Sequence, residues 1–196
     1  MTAEFVVFDL ETTGLSPRCH EIIQIAGTRM RGGRILVEEQ FSTFVRPGMP
    51  IPGFITGFTG ISNRDVADAP PISEALAAFS KFVGDAVLIA HNGHRFDAKF
   101  LWAACTQTEI KSRPVELIDS IHFSKRLFGT ARGTGHGLDA LLIRMRVHTI
   151  QGNRHDARGD VSGLAQAVEK MWMKLSLDAT CSGIPRTVTL LPNLSQ

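Results

Sequence analysis

The run EFVVF at residues 4–8 leads directly into Asp9 and Glu11. Five nearly all-apolar residues read as a buried strand. A core strand that ends in two acids constrains the chain more than any other feature. Side chains two apart on a strand share a face, so Asp9 and Glu11 project together from its tip. Burying either carboxylate is costly, and each raises the proton affinity of the other unless a positive charge lies between them. A divalent cation supplies that charge, and an all-oxygen ligand set favours magnesium or manganese over zinc. A second reading also fits: Asp9 accepts hydrogen bonds from the turn ETTGLS while Glu11 is solvated beyond the strand.

The rest of the chain reads as an α/β domain. Glu21 to Arg31 and Arg34 to Arg46 are two further strands, with Gly32 and Gly33 as the hairpin turn between them. The first three strands therefore form an antiparallel meander. PGMPIPGFITGFTGIS is a short irregular or helical connection. Ile72, Ala75, Leu76, Phe79 and Val83 recur at helical spacing. AVLIA at 86–90 and Val115 to Ile118 are short strands. Helices are expected at Phe96 to Cys105, Asp119 to Phe128, Leu138 to Met145 and Asp156 to Leu175. Strands alternating with helices imply a mixed sheet covered by helices. Residues 1–177 form the domain, and 178–196, with Pro185, Pro192 and scattered Ser and Thr, read as a C-terminal extension or linker stub.

Composition narrows the class. With 196 residues and 43% apolar content the chain can bury a proper core. A net charge of +2 is too mild to mark a nucleic-acid binder by itself. Cys19, Cys105 and Cys181 are odd in number and far apart, which fits a reducing compartment. No apolar run approaches the roughly 20 residues that span a bilayer. The first strand starts near residue 4, leaving no room for a targeting segment. An intracellular, cytoplasmic protein with no membrane partner is the expectation.

Further acids lie at other element ends. Asp97 stands where HNGHRFD enters a helix, a place where helix capping alone would favour Asp. Asp160 lies in the first turns of the last helix, in HDARGDVSGLAQAV, with His155 five residues earlier. Residues five apart do not share a helix face, so His155 belongs at or before the helix start. Four acids and one histidine thus sit at the ends of elements that an α/β sheet can gather at one edge, where ligands bind in such sheets.

FDLETTGL, HNGHRFD and HDARGD resemble, in order and spacing, the three motifs of the DEDD 3′→5′ exonucleases, the superfamily of the proofreading epsilon subunit of bacterial DNA polymerase III. The resemblance spans about residues 4–172, including FITGFTGIS, IDSIHFSKRLF and HGLDALLIRMRV. The last motif is similar to the histidine subtype, DEDDh: the chain has no Tyr, and His155 precedes Asp160 by five. His91 to Asp97 is one residue longer than the usual HNAxFD form, as in relatives of the three-prime repair exonucleases.

The resemblance implies a ribonuclease-H-like fold, a mixed five-stranded sheet flanked by helices. It implies two Mg2+ or Mn2+ ions held by Asp9, Glu11, Asp97 and Asp160, with His155 as general base. It implies release of nucleoside 5′-monophosphates from the single-stranded 3′ end of DNA or RNA. Thr12, Thr13, Leu15 and Phe96 would meet the last nucleotides. Arg158 would meet a phosphate, within a 125–158 stretch holding seven basic residues against Asp139 and Asp156. Turn chemistry for the threonines and core packing for Leu15 and Phe96 are the plainer readings. A homodimer or a polymerase partner also follows from the family. The competing readings are a partner-binding proofreading subunit and an RNA-trimming exoribonuclease. GTGHGL lacks the third glycine of a nucleotide loop and follows no strand; it reads as a flexible loop.

Overall fold

The computed structural model describes residues 3–131, 133–147 and 157–194. Among these described residues, twelve elements follow in chain order: β1 (Glu4–Thr12), β2 (Ile22–Arg31), β3 (Arg34–Phe44), α1 (Gly53–Thr59), α2 (Ile72–Val83), β4 (Val87–Ala90), α3 (Asp97–Gln107), β5 (Ser112–Asp119), α4 (Ile121–Phe128), α5 (Leu138–Met145), α6 (Ala157–Lys174) and β6 (Arg186–Pro192). They make one sheet in the order β3-β2-β1-β4-β5-β6. The expected meander is present, with β1, β2 and β3 antiparallel. β4 and β5 then run parallel to β1, as the intervening helical crossovers require.

The mixed α/β fold expected from the sequence is found, but the sheet has six strands rather than five. The sixth comes from residues 186–192, within the stretch read as an extension. It pairs antiparallel with β5 from Ser112 to Ile118. Prolines at 185 and 192 bracket it, which an edge strand tolerates because its outer face needs no donor.

β1 is buried on both faces and divides the core. Val6, Phe8 and Leu10 face the layer of α2 and α3, with Leu76, Phe79 and Leu101. Phe5 and Val7 face the layer of α4, α5 and α6, with Phe123, Leu164 and Trp172. By the period of two, Asp9 and Glu11 belong to the second face. They therefore point towards α6.

The β2–β3 turn fixes this second layer. Gly33 has φ +77, and a Cβ there would come within 2.7 Å of three atoms of the Trp172 indole. Trp172 in turn meets Phe5 edge-on at 5.0 Å and donates its indole N–H to the Leu177 carbonyl at 3.1 Å. Gly33→Ala should cost about 2–4 kcal/mol in urea denaturation, from the left-handed backbone and the overpacked ring together. Among the described residues, no helix is long and apolar enough to cross a membrane.

Candidate active site

Asp9, Glu11 and Asp160 converge at the C-terminal end of β1. One ligand oxygen from each lies within 4.8 Å of the others. Asp9 is half-buried, while Glu11 and Asp160 are buried. The two strand acids are brought into place by register: Asp9 stands opposite Ala26 of β2 and Glu11 opposite Gln24. Asp160 arrives on α6, whose start is docked on the same strand. Gln24 is buried and accepts the Ala157 backbone N–H at 3.0 Å. That satisfies one of the donors left open at a helix start and fixes the turn carrying Asp160. Ala26, Ala157 and Val161 form a small apolar contact beneath it, where short side chains let helix and sheet approach closely.

Asp97 comes from the opposite layer, as the first residue of α3 rather than as its cap. It is 2% exposed, and its Oδ1 has no hydrogen-bond partner. Burial pushes its carboxyl up to about 8, and the nearby Asp119 adds to the effect, whereas the backbone N–H groups of Asp97 and Leu10 oppose it. Asp97 lies outside the group of three oxygens described above, and its carboxyl takes a bond from the backbone of Leu10, which stands between Asp9 and Glu11 on β1. The loop leading to Asp97 makes a tight turn. Asn92 sits at φ 60, its carbonyl accepts N–H groups from Arg95 and Phe96, and Gly93 packs so tightly on Ala90 that a Cβ would lie 2.5 Å from that side chain.

Asp119 holds this loop. It ends β5, is buried, and accepts N–H bonds from Asn92 at 3.0 Å, His94 at 3.4 Å and Ile121 at 3.0 Å. Sequence reading placed Asp119 at a helix start and gave it no role. The usable signal was the one that found Asp9, an acid at the end of a buried strand. Gln24 carried no signal, because a glutamine inside an apolar strand has no pattern of its own.

The Asp97 shift has a consequence in the absence of metal. The unfolded carboxyl loses its proton near its ordinary 3.8, but the folded one keeps it up to about 8. Between these values the folded state binds more protons, so stability is full below the lower value and falls as pH rises towards the upper. Asp97→Asn should flatten that fall in denaturation curves taken in EDTA from pH 5 to 8. An unchanged slope would show that another group is responsible.

A cavity of about 600 Å3 opens over the acids. Asp9, Glu11, Thr12, Leu15, Phe96 and Asp160 line it, together with His20, Phe54 and Phe58. The structure thus brings most of the expected residues to one place. Leu15 is 84% exposed at the rim. Phe96 is half-buried against Phe100, ring centroids 4.8 Å apart. Thr12 donates to the Gly14 carbonyl at 2.7 Å. Thr13 is turned away: it is buried, its backbone N–H donates to the Glu21 carbonyl at 2.8 Å, and its hydroxyl accepts the Glu21 N–H at 3.0 Å. Arg158 lines a separate groove between α6 and the β2–β3 hairpin. His155 lies outside the described residues.

Three acids on two elements form a hard-oxygen site suited to a divalent cation. Residues 6–168 match the RNase_T family of exonucleases. The chain belongs to the exonuclease family. A DNA polymerase III subunit epsilon-like protein of Rhodobacter capsulatus is 42% identical over 167 residues, 83% of this exonuclease chain and 23% of the relative. DNA polymerase III PolC-type of Streptococcus mutans is 40% identical over 145 residues, 74% of this chain and 10% of the relative. The chain therefore spans under a quarter of the length of these curated relatives. Among solved structures, the nuclease domain of 3'hExo, a DEDDh family member bound to rAMP, shares the fold at TM-score 0.78, with 19% identity, 95% of this chain and 96% of that one. Exonuclease X in complex with 5′ overhanging duplex DNA follows at TM-score 0.71 and 24% identity, covering 90% and 95%.

Proposed function

We propose that this exonuclease domain removes nucleoside 5′-monophosphates one at a time from the 3′ end of a nucleic acid, in a reaction dependent on magnesium or manganese. The convergence of Asp9, Glu11 and Asp160 within 4.8 Å, at the floor of an open cavity, carries this reading. Asp9, Glu11, Asp160 and Asp97 would hold two hard cations, which would supply charge neutralisation for an in-line displacement at phosphorus. The protein's part is to hold that charge rigidly. Asp9 and Glu11 are fixed by the β1–β2 ladder, Asp160 by the docked start of α6, and Asp97 by the tight turn under Asp119.

His155 is proposed to take the proton of the attacking water on an imidazole nitrogen, a group that titrates near neutrality (about 6.5). Water oxygen then bonds to phosphorus, the bond to the 3′-oxygen of the preceding nucleotide breaks, that oxygen takes up a proton to become the new 3′-hydroxyl, and the phosphate leaves on the 5′-oxygen of the released mononucleotide. A role as the proofreading unit of a larger replicative polypeptide is a second reading. It is favoured by the relatives named for DNA polymerase III, of which this chain matches only a part.

The test is degradation of 5′-labelled single-stranded DNA and RNA, with magnesium, with manganese and with EDTA. A ladder shortening from the 3′ end only with metal is expected, and the faster substrate gives the sugar preference. Absence of cleavage with either metal would overturn the reading in favour of a partner-binding module.

A further inference from the structure

A second cavity lies behind the turn that leads out of β1. It holds about 140 Å3 between α3, the start of α2, residues 17–22 and residues 45–48. Its floor is core: Ile22, Val45, Phe100 and Ala104 are buried, and Ile72 completes it. Gly48, Ala103 and Ala104 are the small residues that leave the space. The mouth is polar, with His20, Glu21, Arg46 and Gln107. Glu21 is already engaged, because its carboxylate accepts the Gly48 N–H at 2.5 Å. Arg46 is exposed, as is Arg18 between the lining residues Pro17 and His20. Among the described residues neither guanidinium has an ion-pair partner. The mouth therefore carries an excess of positive charge above an apolar floor.

The same residues brace the active-site turn from behind. His20 lines both this cavity and the one over the acids. Its ring lies so close to Gly14 that a Cβ there would come within 2.4 Å of it. Its Nδ1 lies 3.2 Å from both the nitrogen and the carbonyl oxygen of Ser16. Glu21 is bonded to Thr13 through its carbonyl and its N–H. A group that presses on His20 and Glu21 from the second cavity thus acts on residues 13–16 directly, without passing through the core.

We infer that this cavity is an anchor pocket for one apolar side chain of an acidic protein segment, and that filling it alters the active-site turn. Volume selects the occupant. Cofactor and metabolite sites hold about 300–1,000 Å3, whereas this one suits a single side chain of leucine or phenylalanine size. Anchors of that kind, seated in desolvated pockets, carry most of the energy of protein interfaces. Charge selects the flanking residues. Two guanidiniums beside the mouth favour carboxylates on either side of the anchor, which speed and orient the encounter. A nucleic-acid strand matches the charge, but its polar bases leave an aliphatic floor unmatched. The effect on rate rests on the exonuclease reading above; the pocket itself does not.

The probe is a capped pentapeptide with one leucine between two pairs of acidic residues, titrated into the whole chain. Methyl NMR should show saturable shifts at Ile22, Val45 and Ile72, weakened by added salt. Alanine in place of the leucine should weaken binding about tenfold or more, from the apolar burial lost. Lysines in place of the acids should abolish it. Ala103→Leu fills the cavity and should weaken the leucine peptide by a similar factor. Arg46→Glu reverses an exposed charge, and so tests the mouth independently of any repacking. Saturating peptide is expected to change the rate of 3′-end degradation about fivefold in wild type and not in Ala103→Leu. No shift at millimolar peptide, equal binding of the alanine peptide, or full binding to both variants would overturn the pocket. Equal binding of 4-methylpentanoate, or of a single-stranded oligonucleotide, at the same methyls would overturn the protein segment as occupant. Binding with an unchanged rate would overturn the coupling through His20. A wild type inactive on every strand would overturn the exonuclease reading and leave the binding result standing.

Discussion

Asp9→Asn is expected to lower 3′-end degradation by about 10³-fold or more while leaving the chain folded. Asp9 is the residue with most to lose. It lies on a strand buried on both faces, in register with Ala26, and its carboxylate meets both Glu11 and Asp160 within 4.8 Å. An amide keeps the shape but not the charge. Removing a single preorganised electrostatic contact in an active site costs about 10²–10³-fold, and a ligand central to the metal cluster should cost at least that. The fold should not suffer, because three crowded carboxylates repel one another when no cation is present. In EDTA the melting temperature of Asp9→Asn should equal or exceed that of wild type. Magnesium should then separate them. A cation at 100 times its dissociation constant adds about 2.7 kcal/mol to a protein that binds it only when folded, and the variant should forfeit most of that gain. Full activity in the variant would remove the metal cluster from the mechanism. Lost activity with an intact magnesium shift in melting would move Asp9 from cation binding to substrate.

The two strand acids were legible because a period of two needs only local sequence. The meander and the Gly32-Gly33 turn were legible for the same reason. Asp97 and Asp160 became readable once the three motifs were taken as a set, since neither carries a sign of its own beyond a helix start. What escaped depended on contacts distant in sequence. Gln24 matters because Ala157, 133 residues on, donates to it. Asp119 matters because the loop at Asn92 and His94 folds over the end of β5. Phe54 and Phe58 sat in a Pro/Gly-punctuated stretch that reads as a connection, and only the fold shows that it borders the acids. Strand β6 was hidden by its chemistry. Thr189 is fully buried, but its hydroxyl is satisfied by the Ala98 carbonyl at 2.8 Å, so a polar residue occupies a core position. Two prolines beside it completed the look of a linker.

Ending the chain at Ile184 should therefore do more harm than the loss of an extension. Removal of β6 takes away Leu191, which is fully buried in the cluster shared by α2, α3 and the sheet. Leu190 and Pro192 go with it. Burial of such a side chain contributes about 1.5–3 kcal/mol. The ladder to seven residues of β5 is lost, as are the bonds from Ser80 Oγ to the Pro192 carbonyl at 2.7 Å and from Asn193 N–H to the Lys111 carbonyl at 2.8 Å. Freed chain entropy, about 1.5 kcal/mol per residue released, offsets much of this. It does not repair the bared edge of β5 or the uncovered apolar faces of α2 and α3. A net loss is expected, against the roughly 5–15 kcal/mol of stability an ordinary domain has. The unpaired β5 edge would also template aggregation. The truncated chain should be largely insoluble or unfolded, by yield and circular dichroism. Leu191→Ala, which keeps the strand but opens a cavity, should stay folded with a loss of about 3 kcal/mol. A soluble truncation with an unshifted melting temperature would mean that β6 only lies against a domain already complete at β5. Collapse of the truncation with survival of Leu191→Ala would mean that the sixth strand closes the core on which α3, and with it Asp97, is held.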